Sequence, residues 1–313
     1  MLQKLNEDQI IAITEDPEHR SLWSNKCYRK GTLMYQKDNL IDGLMFIEKG
    51  AVGLYGYQQA DYQTKVLNIP QGHIIGQQCF SVSKYCLYDV FAEEDVESKF
   101  LHQDYFHVLQ IQDLKYFDLL MNYLIFNLLD RVRLIINQNS IYFPHHTANT
   151  MSPIDDLSTF KKKRNYKMRD RLVHQLAFDL WSEKSIQYLC GHSEQFEIKR
   201  SGVFNFNDKN KLLMILEGSI QMRISIKQQE VFLDPLPHGL LFHPLIWNSD
   251  LFEIDFRVRD YANILIVDHD LITAGWFKRF YSHRQIQSVI IVINSLLQVL
   301  TRLITEHTIL KRQ

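Results

Sequence analysis

The sequence has few cysteines, and none of them lies in a pattern that would bind a metal or build a disulfide framework. The four cysteines of the 313 residues are Cys27, Cys79, Cys86 and Cys190, and no two of them form a CxxC pair. Iron–sulfur clusters, structural zinc sites and small secreted domains need closely spaced cysteines. The composition therefore predicts reduced thiols in a cytoplasmic protein and no cofactor.

Long apolar runs and an excess of one charge are absent as well. The most apolar stretch, Val289 to Leu300, is interrupted by Asn294, Ser295 and Gln298, so it is too short and too polar to span a bilayer. The N-terminal residues lack the apolar segment of a signal peptide. Because the formal net charge is −1, the chain as a whole has no attraction for nucleic acid or an anionic membrane.

Residue patterns typical of enzymes are also missing. The sequence contains no HExxH motif, no glycine-rich phosphate loop and no spacing typical of a nucleophile with its base and acid. His145 and His146, together with Cys190 and His192, do not have the spacing of a zinc site. We therefore expect neither an enzyme nor a metal site.

Glycine is absent between Gly76 and Gly191, and this gap separates two stretches of strand-like sequence. Short runs of β-forming residues precede it, and a helical pattern extends from about Gln103 to Ile136. A second group of strands starts near Phe196 and is followed by a helical pattern from about Thr273 to His307. Many short strands separated by turns favour a sandwich or barrel over alternating β–α units.

The two strand-rich stretches follow the same plan. Leu44 to Val52 resembles Leu212 to Ile220, and the glycines of these segments, Gly50 and Gly218, are 168 positions apart. A period of this length indicates duplicated domains rather than a solenoid. We predict a first domain at residues 1–139, a basic connector with one helix at 140–189 and a second domain at 190–313.

Each predicted closing helix carries an apolar seam with the spacing 4, 3, 4, 3, and the two seams are also 168 positions apart. Such a seam packs against another helix. We predict that the closing helices pair with one another, either within one chain or between two chains of a dimer. The predicted interface consists of Met121, Ile125, Leu128, Val132, Ile135, Val289, Ile293, Leu296, Leu300 and Leu303.

Turn motifs that occur twice resemble those of the cyclic nucleotide-binding domain of the CRP/FNR superfamily. The matching segments are Arg29-Lys30-Gly31, Phe46–Gly50 and Gly72–Gly76, and in the second copy Arg200-Ser201-Gly202, Ile215–Gly218 and Pro237-His238-Gly239. The resemblance implies an α+β protein with two tandem double-stranded β-helix (jelly-roll) domains, each closed by a long α-helix that serves as a dimer contact.

At the positions where the resemblance implies nucleotide-binding residues, this sequence has residues of other types. A nucleotide-binding member would carry a Glu for the ribose after Gly76 and an Arg for the phosphate about ten residues later, because a buried phosphate needs a guanidinium. Here Gln77 and Gln78 follow, and residues 85–88 contain no Arg. We predict that neither domain binds a cyclic nucleotide. We call the segment in which the resemblance would place the nucleotide-binding residues the cassette. Its candidate residues, which are degenerate in this sequence, are Gly72, Gly76, Gln77, Gln78, Gly239 and His243.

These patterns predict a cytoplasmic, non-enzymatic regulator or sensor related to transcription regulators of this type. It would act through a protein partner or a non-nucleotide ligand, without a helix-turn-helix, since only ten residues follow Leu303. The alternative is a DNA-associated regulator that uses the basic segment 160–171. Its nucleic-acid or partner contacts would be Lys161, Lys162, Lys163 and Arg164.

Overall fold

The structure is a computed structural model, and it describes the following residues: 13–59, 62–80, 84–142, 191, 193–204, 206, 208, 210–226, 229–233, 241–242, 253–268 and 277–310. Lys161 to Arg164 of the predicted connector lie outside the described residues. Gly239 and His243 of the second cassette do so as well.

The first eight strands pair into two four-stranded antiparallel sheets, with strand orders β1-β8-β3-β6 and β2-β7-β4-β5. Their bounds are β1 Trp23–Tyr28, β2 Leu33–Tyr35, β3 Gly43–Lys49, β4 Ala51–Gln59, β5 Tyr62–Pro70, β6 Ile74–Ile75, β7 Asp89–Ala92 and β8 Val96–His102. Consecutive strands β3 and β4 belong to different sheets, as do β7 and β8. These two crossings between the sheets lie next to each other, because Gly50 lies against Asp95 and Val96.

Gly50 makes the crossing between β3 and β4 possible. Its φ of +87° lies in the left-handed region, and a Cβ at this position would overlap the backbone carbonyl oxygen of Asp95. Only glycine combines this backbone conformation with so close an approach. The hairpin glycine predicted from the repeat is thus required by the geometry of the crossing.

The remaining strands form one six-stranded antiparallel sheet, in which β9 and β13 join the path β10-β14-β11-β12. Their bounds are β9 Ser193–Ile198, β10 Gly202–Phe204, β11 Lys211–Ile226, β12 Gln229–Phe232, β13 Leu241–Phe242 and β14 Glu253–Asp268. Strands β11 and β14 pair along almost their whole length, with register shifts on either side of Gly218. Gly218 has a φ of +97°, so it has the same left-handed backbone as Gly50.

Three α-helices are described: α1 (Asp104–Gln112), α2 (Leu114–Gln138) and α3 (Phe277–Leu310). The prediction of one continuous helix from Gln103 to Ile136 is wrong at one point, because α1 and α2 are separated at Asp113. The Asp113 carboxylate accepts a hydrogen bond from the Tyr116 amide at 2.9 Å and so caps the start of α2. An aspartate in this position satisfies an N–H group that would otherwise lack a partner, which favours a new helix start.

The apolar seams of α2 and α3 are buried, apart from the half-buried Leu303. Pairing between the two helices stays a prediction. The predicted fold class is confirmed: antiparallel sheets of the jelly-roll type, with long helices. Among the described residues, no helix has the combination of length and apolar character needed to cross a membrane.

The chain forms two compact units, one made of Met1–Tyr142 together with Val289–Gln313 and the other of Phe143–Ser288. The last part of α3, which the sequence analysis assigned to the second domain, therefore groups with the first β-roll. A contact explains part of this grouping: Thr301 of α3 is hydrogen-bonded to Tyr88, and both side chains lie beside Gly56. The exact domain boundaries stay predictions.

Candidate functional site

Helix α2 presents a row of polar side chains to the loops that follow β5 and β6. Tyr123, Asn127 and Arg131 are spaced by four residues, so they lie on one face of the helix. Tyr123 Oη and Asn127 Nδ2 both donate hydrogen bonds to the Gly72 carbonyl, each at 2.9 Å, and Asn127 Oδ1 accepts one from the Ile74 amide at 2.8 Å. The closing helix is thereby joined directly to the loop of the predicted cassette.

Gly72 and Gly76 give this loop its course. Both have positive φ values, +83° and +85°. A Cβ at Gly76 would overlap the Gly43 carbonyl oxygen and would lie 3.2 Å from Tyr35 Oη, whereas a Cβ at Gly72 would meet nothing within 4 Å. The two glycines are needed for backbone conformation, and Gly76 is needed for space as well.

Gln77 and Gln78 lie directly after Gly76 in a short 3-10 helix, Gln77–Phe80, whose four residues are all buried. Gln77 Oε1 accepts a hydrogen bond from Arg131 Nη1 at 2.8 Å. The predicted cassette residues therefore lie at the closing helix, but they are bound to a side chain of the protein itself.

Arg131 is the most unusual residue of the site. It is only 1% exposed, and its Nε and Nη2 atoms have no hydrogen-bond partner in the part of the chain that the structure describes. Among the described residues it forms no ion pair, because the adjacent Asp130 carboxylate lies near His73 and Arg133 instead, at 3.6 and 3.7 Å. Burial lowers the pKa of Arg131 to about 10, so the guanidinium remains charged at neutral pH.

Arg131 lines a small cavity with a volume of about 20 Å³. This space accommodates about one water-sized particle. The lining residues are Tyr35, Ile41, Leu54, Ile69, Ile75, Gly76, Gln77, Gln78, Cys86, Tyr88, Val90 and Arg131. Arg131 is the only charged residue of this lining, and the Tyr35 hydroxyl is another buried polar group without a partner among the described residues.

Unlike Arg131, the side chains of His73, Cys79 and Cys86 near the cavity are neutral at physiological pH because they are buried. Burial lowers the pKa of His73 to about 4, with a further lowering by Arg131 that Asp130 opposes. Burial likewise raises the pKa of Cys86 to about 11 and raises that of Cys79. Thiols held in the protonated form are poor nucleophiles and poor metal ligands.

The helix residues Tyr123, Asn127 and Arg131 were not predicted as site residues. Their signal in the sequence is a polar stripe at four-residue spacing beside the apolar seam. Sequence reasoning concentrated on the apolar positions, and it looked for an arginine on the β-roll rather than on the helix. Four-residue spacing shows that these side chains share a face, but it does not show what they contact.

A second depression, an open groove of about 240 Å³, lies over strands β4 and β7. Its polar groups bind one another: Tyr55 Oη donates to Glu93 Oε1 at 2.6 Å, and Lys65 Nζ lies 2.9 Å from Glu93 Oε2. The Glu93 carboxylate of this groove is therefore already bound by neighbouring side chains.

In the part of the chain that the structure describes, one group of residues has donor atoms close enough together for a metal ion, namely Glu18, His19 and Asp113. The His19 ring lies between carboxylates, with Nδ1 3.3 Å from Asp16 and Nε2 3.2 Å from Asp113. It also stacks on Tyr116, with ring centroids 3.8 Å apart. These contacts fasten the chain before β1 to the start of α2.

Comparison with known proteins gives matches to solved structures only; no family model matches the chain, and no curated protein matches its sequence. A cyclic nucleotide-binding domain from Methylobacillus flagellatus is 13% identical with a TM-score of 0.39, covering 47% of this chain and 79% of that one. The catabolite activator protein of Thermus thermophilus is 17% identical with a TM-score of 0.34, covering 44% and 60%.

The regulatory domain of Toxoplasma gondii PKA, crystallised with cAMP, covers more of the chain. It is 11% identical with a TM-score of 0.30, covering 90% of this chain and 87% of that one. The resemblance stated from the turn motifs and these matches name the same kind of domain. A likeness at these identities and TM-scores says nothing about ligand, partner or activity.

Proposed function

We propose that this protein is a cytoplasmic regulator that works by binding and not by catalysis, and that neither of its domains accepts a cyclic nucleotide. The observation that carries the proposal is the cavity of about 20 Å³ at Arg131. Sites for small organic ligands have volumes of roughly 300–1,000 Å³, so the space is too small for a nucleotide by more than an order of magnitude.

The chemistry of the cavity supports the same proposal. Its guanidinium comes from the closing helix and is hydrogen-bonded to Gln77, where the resemblance would imply an arginine on the β-roll and a glutamate for the ribose. Tyr35, Tyr88 and Arg131 line the cavity and leave it little free volume. A nucleotide would have to displace these side chains and break the Arg131–Gln77 hydrogen bond.

The closing helix is the element through which such a regulator would act. Its hydrogen bonds to Gly72 and Ile74 join the helix to the cassette loop, so a partner that binds either element would bias the position of the other. In thermodynamic terms the partner selects one arrangement of helix and loop. A protein partner or a non-nucleotide ligand would serve equally in this role.

Isothermal titration calorimetry of the full chain with cAMP and with cGMP tests the proposal. We expect no binding heat with either nucleotide, while an authentic cyclic nucleotide-binding domain in the same buffer gives the usual signal. Micromolar binding to either domain would overturn the proposal. Native mass spectrometry of the same preparation then separates a sensor, which would retain a small molecule, from an interaction module, which would not.

A further inference from the structure

The cavity at Arg131 contains donors without acceptors. Arg131 Nε and Nη2 and the Tyr35 hydroxyl are buried, and they have no hydrogen-bond partner among the residues that the structure describes. Each such group costs free energy unless something binds to it, and an unpaired buried charge costs the most. The arrangement calls for a negatively charged acceptor that reaches both side chains.

The protein supplies no such acceptor from its own described residues. The lining contains no Asp or Glu. The Asp130 side chain, 36% exposed, lies near Arg133 and His73. Gln77 provides one neutral oxygen for a single N–H of the guanidinium. A neutral acceptor satisfies a hydrogen bond but leaves the charge of the buried cation uncompensated.

We infer that the first β-roll holds a small inorganic anion of the size of chloride in this cavity, bound by the Arg131 guanidinium and the Tyr35 hydroxyl. The volume of about 20 Å³ has room for a monatomic ion, and it excludes sulfate, phosphate and organic carboxylates. Because burial raises the pKa of Tyr35, its O–H stays protonated and donates to the ion. The apolar walls formed by Ile69, Ile75 and Val90 remove water and strengthen the attraction.

This inference rests on the proposed function only in that the pocket is closed to nucleotides. The ion acts as a structural ligand: it compensates the charge of the Arg131 guanidinium and holds the closing helix against the Gln77 segment. The site then makes the stability of the first unit dependent on the anion present. A ligand that binds only the folded state stabilises it in proportion to the logarithm of its concentration above the Kd.

Thermal unfolding of the full chain tests the inference, with sodium chloride replacing sodium gluconate at constant ionic strength. We expect the Tm of the wild type to rise by several degrees, in proportion to the logarithm of the chloride concentration above the Kd. Bromide should act similarly, whereas sulfate should give only the general stabilisation that is independent of Arg131. Arg131→Met should abolish the response. Arg133→Met is the matched control, because Arg133 lies two residues further along α2 and its side chain is partly exposed. This variant should keep the chloride response.

Two further measurements do not depend on the folding of Arg131→Met. Tyr35→Phe keeps the packing and removes one donor, and we expect it to raise the Kd for chloride, fitted from the Tm as a function of chloride concentration, about tenfold. Crystals soaked in bromide should show an anomalous peak inside the cavity, within hydrogen-bond distance of Arg131. The site is refuted by the absence of a chloride-specific rise in the Tm of the wild type, by an equal response in Arg131→Met, or by an empty cavity in the bromide crystals.

The outcome for chloride is independent of the outcome for cyclic nucleotides. Binding of cAMP in the calorimeter would overturn the proposed function whatever chloride does. A protein that binds neither cAMP nor chloride would leave the proposed function standing and would remove the anion site alone.

Discussion

Asn127 is the side chain whose removal tests the junction between α2 and the cassette loop. In Asn127→Leu the Ile74 amide loses its only hydrogen-bond acceptor in the described structure, while the Gly72 carbonyl keeps the hydrogen bond from Tyr123. Ile74 is 1% exposed, so its orphaned N–H costs about 1–3 kcal/mol, and the lost bond to Gly72 costs about 1 kcal/mol more. The additional apolar surface of leucine offsets about 1 kcal/mol. We expect a net destabilisation of about 2 kcal/mol.

Asn122→Leu is the matched control, since it makes the same substitution five residues earlier on the exposed side of α2. An exposed substitution away from special features changes stability by no more than about 0.5 kcal/mol. Urea unfolding followed by circular dichroism and tryptophan fluorescence measures both variants, and the m-value should stay that of the wild type. If the two variants unfold at the same urea concentration, the hydrogen bonds of Asn127 do not hold the loop, and the reasoning fails.

Gly76→Ala should destabilise the protein far more than Gly72→Ala. Both glycines have a left-handed backbone, but only at position 76 would the alanine Cβ overlap a backbone carbonyl of β3. Equal midpoints of urea unfolding for the two variants would contradict this. The pKa of His73 is lowered from its ordinary 6.5 to about 4 by burial, so the unfolded chain binds the extra proton. Stability should therefore fall by up to about 3 kcal/mol as pH drops from 6.5 to 4, and His73→Asn should lack this contribution. If the closing helices pair, Leu128→Asp and Leu296→Asp remove the same contact, and the double variant should cost less than the sum of the two; additive costs would exclude pairing.

Local sequence patterns were sufficient for the elements whose cause is local. The glycine of the hairpin could be predicted at residue 50 and again at 218, because a left-handed turn leaves few other choices. The buried stripe of α2 followed from its spacing alone. The interruption at Asp113 was missed because apolar periodicity continues across it, and a single capping hydrogen bond decides that a new helix begins.

The candidate site could be predicted only in part. The sequence showed that the cassette after Gly76 lacks its arginine and its acidic residue, and this absence is visible without any structure. The hydrogen bond between Arg131 and Gln77 joins residues 54 positions apart, and nothing in either local sequence indicates the other. A polar stripe on a helix becomes a site only when the fold brings a particular loop to it.

The hydrogen bond between Thr301 and Tyr88 has a consequence for the order in which the chain folds. The first unit consists of two segments, Met1–Tyr142 and Val289–Gln313, and the whole second unit lies between them in the sequence. During synthesis the first β-roll can form its strands early, but the contact between Tyr88 and α3 can form only after the end of α3 has left the ribosome. Contacts of such high sequence separation form slowly. Until they do, Gly56 and Tyr88 are left exposed at the position where α3 will bind.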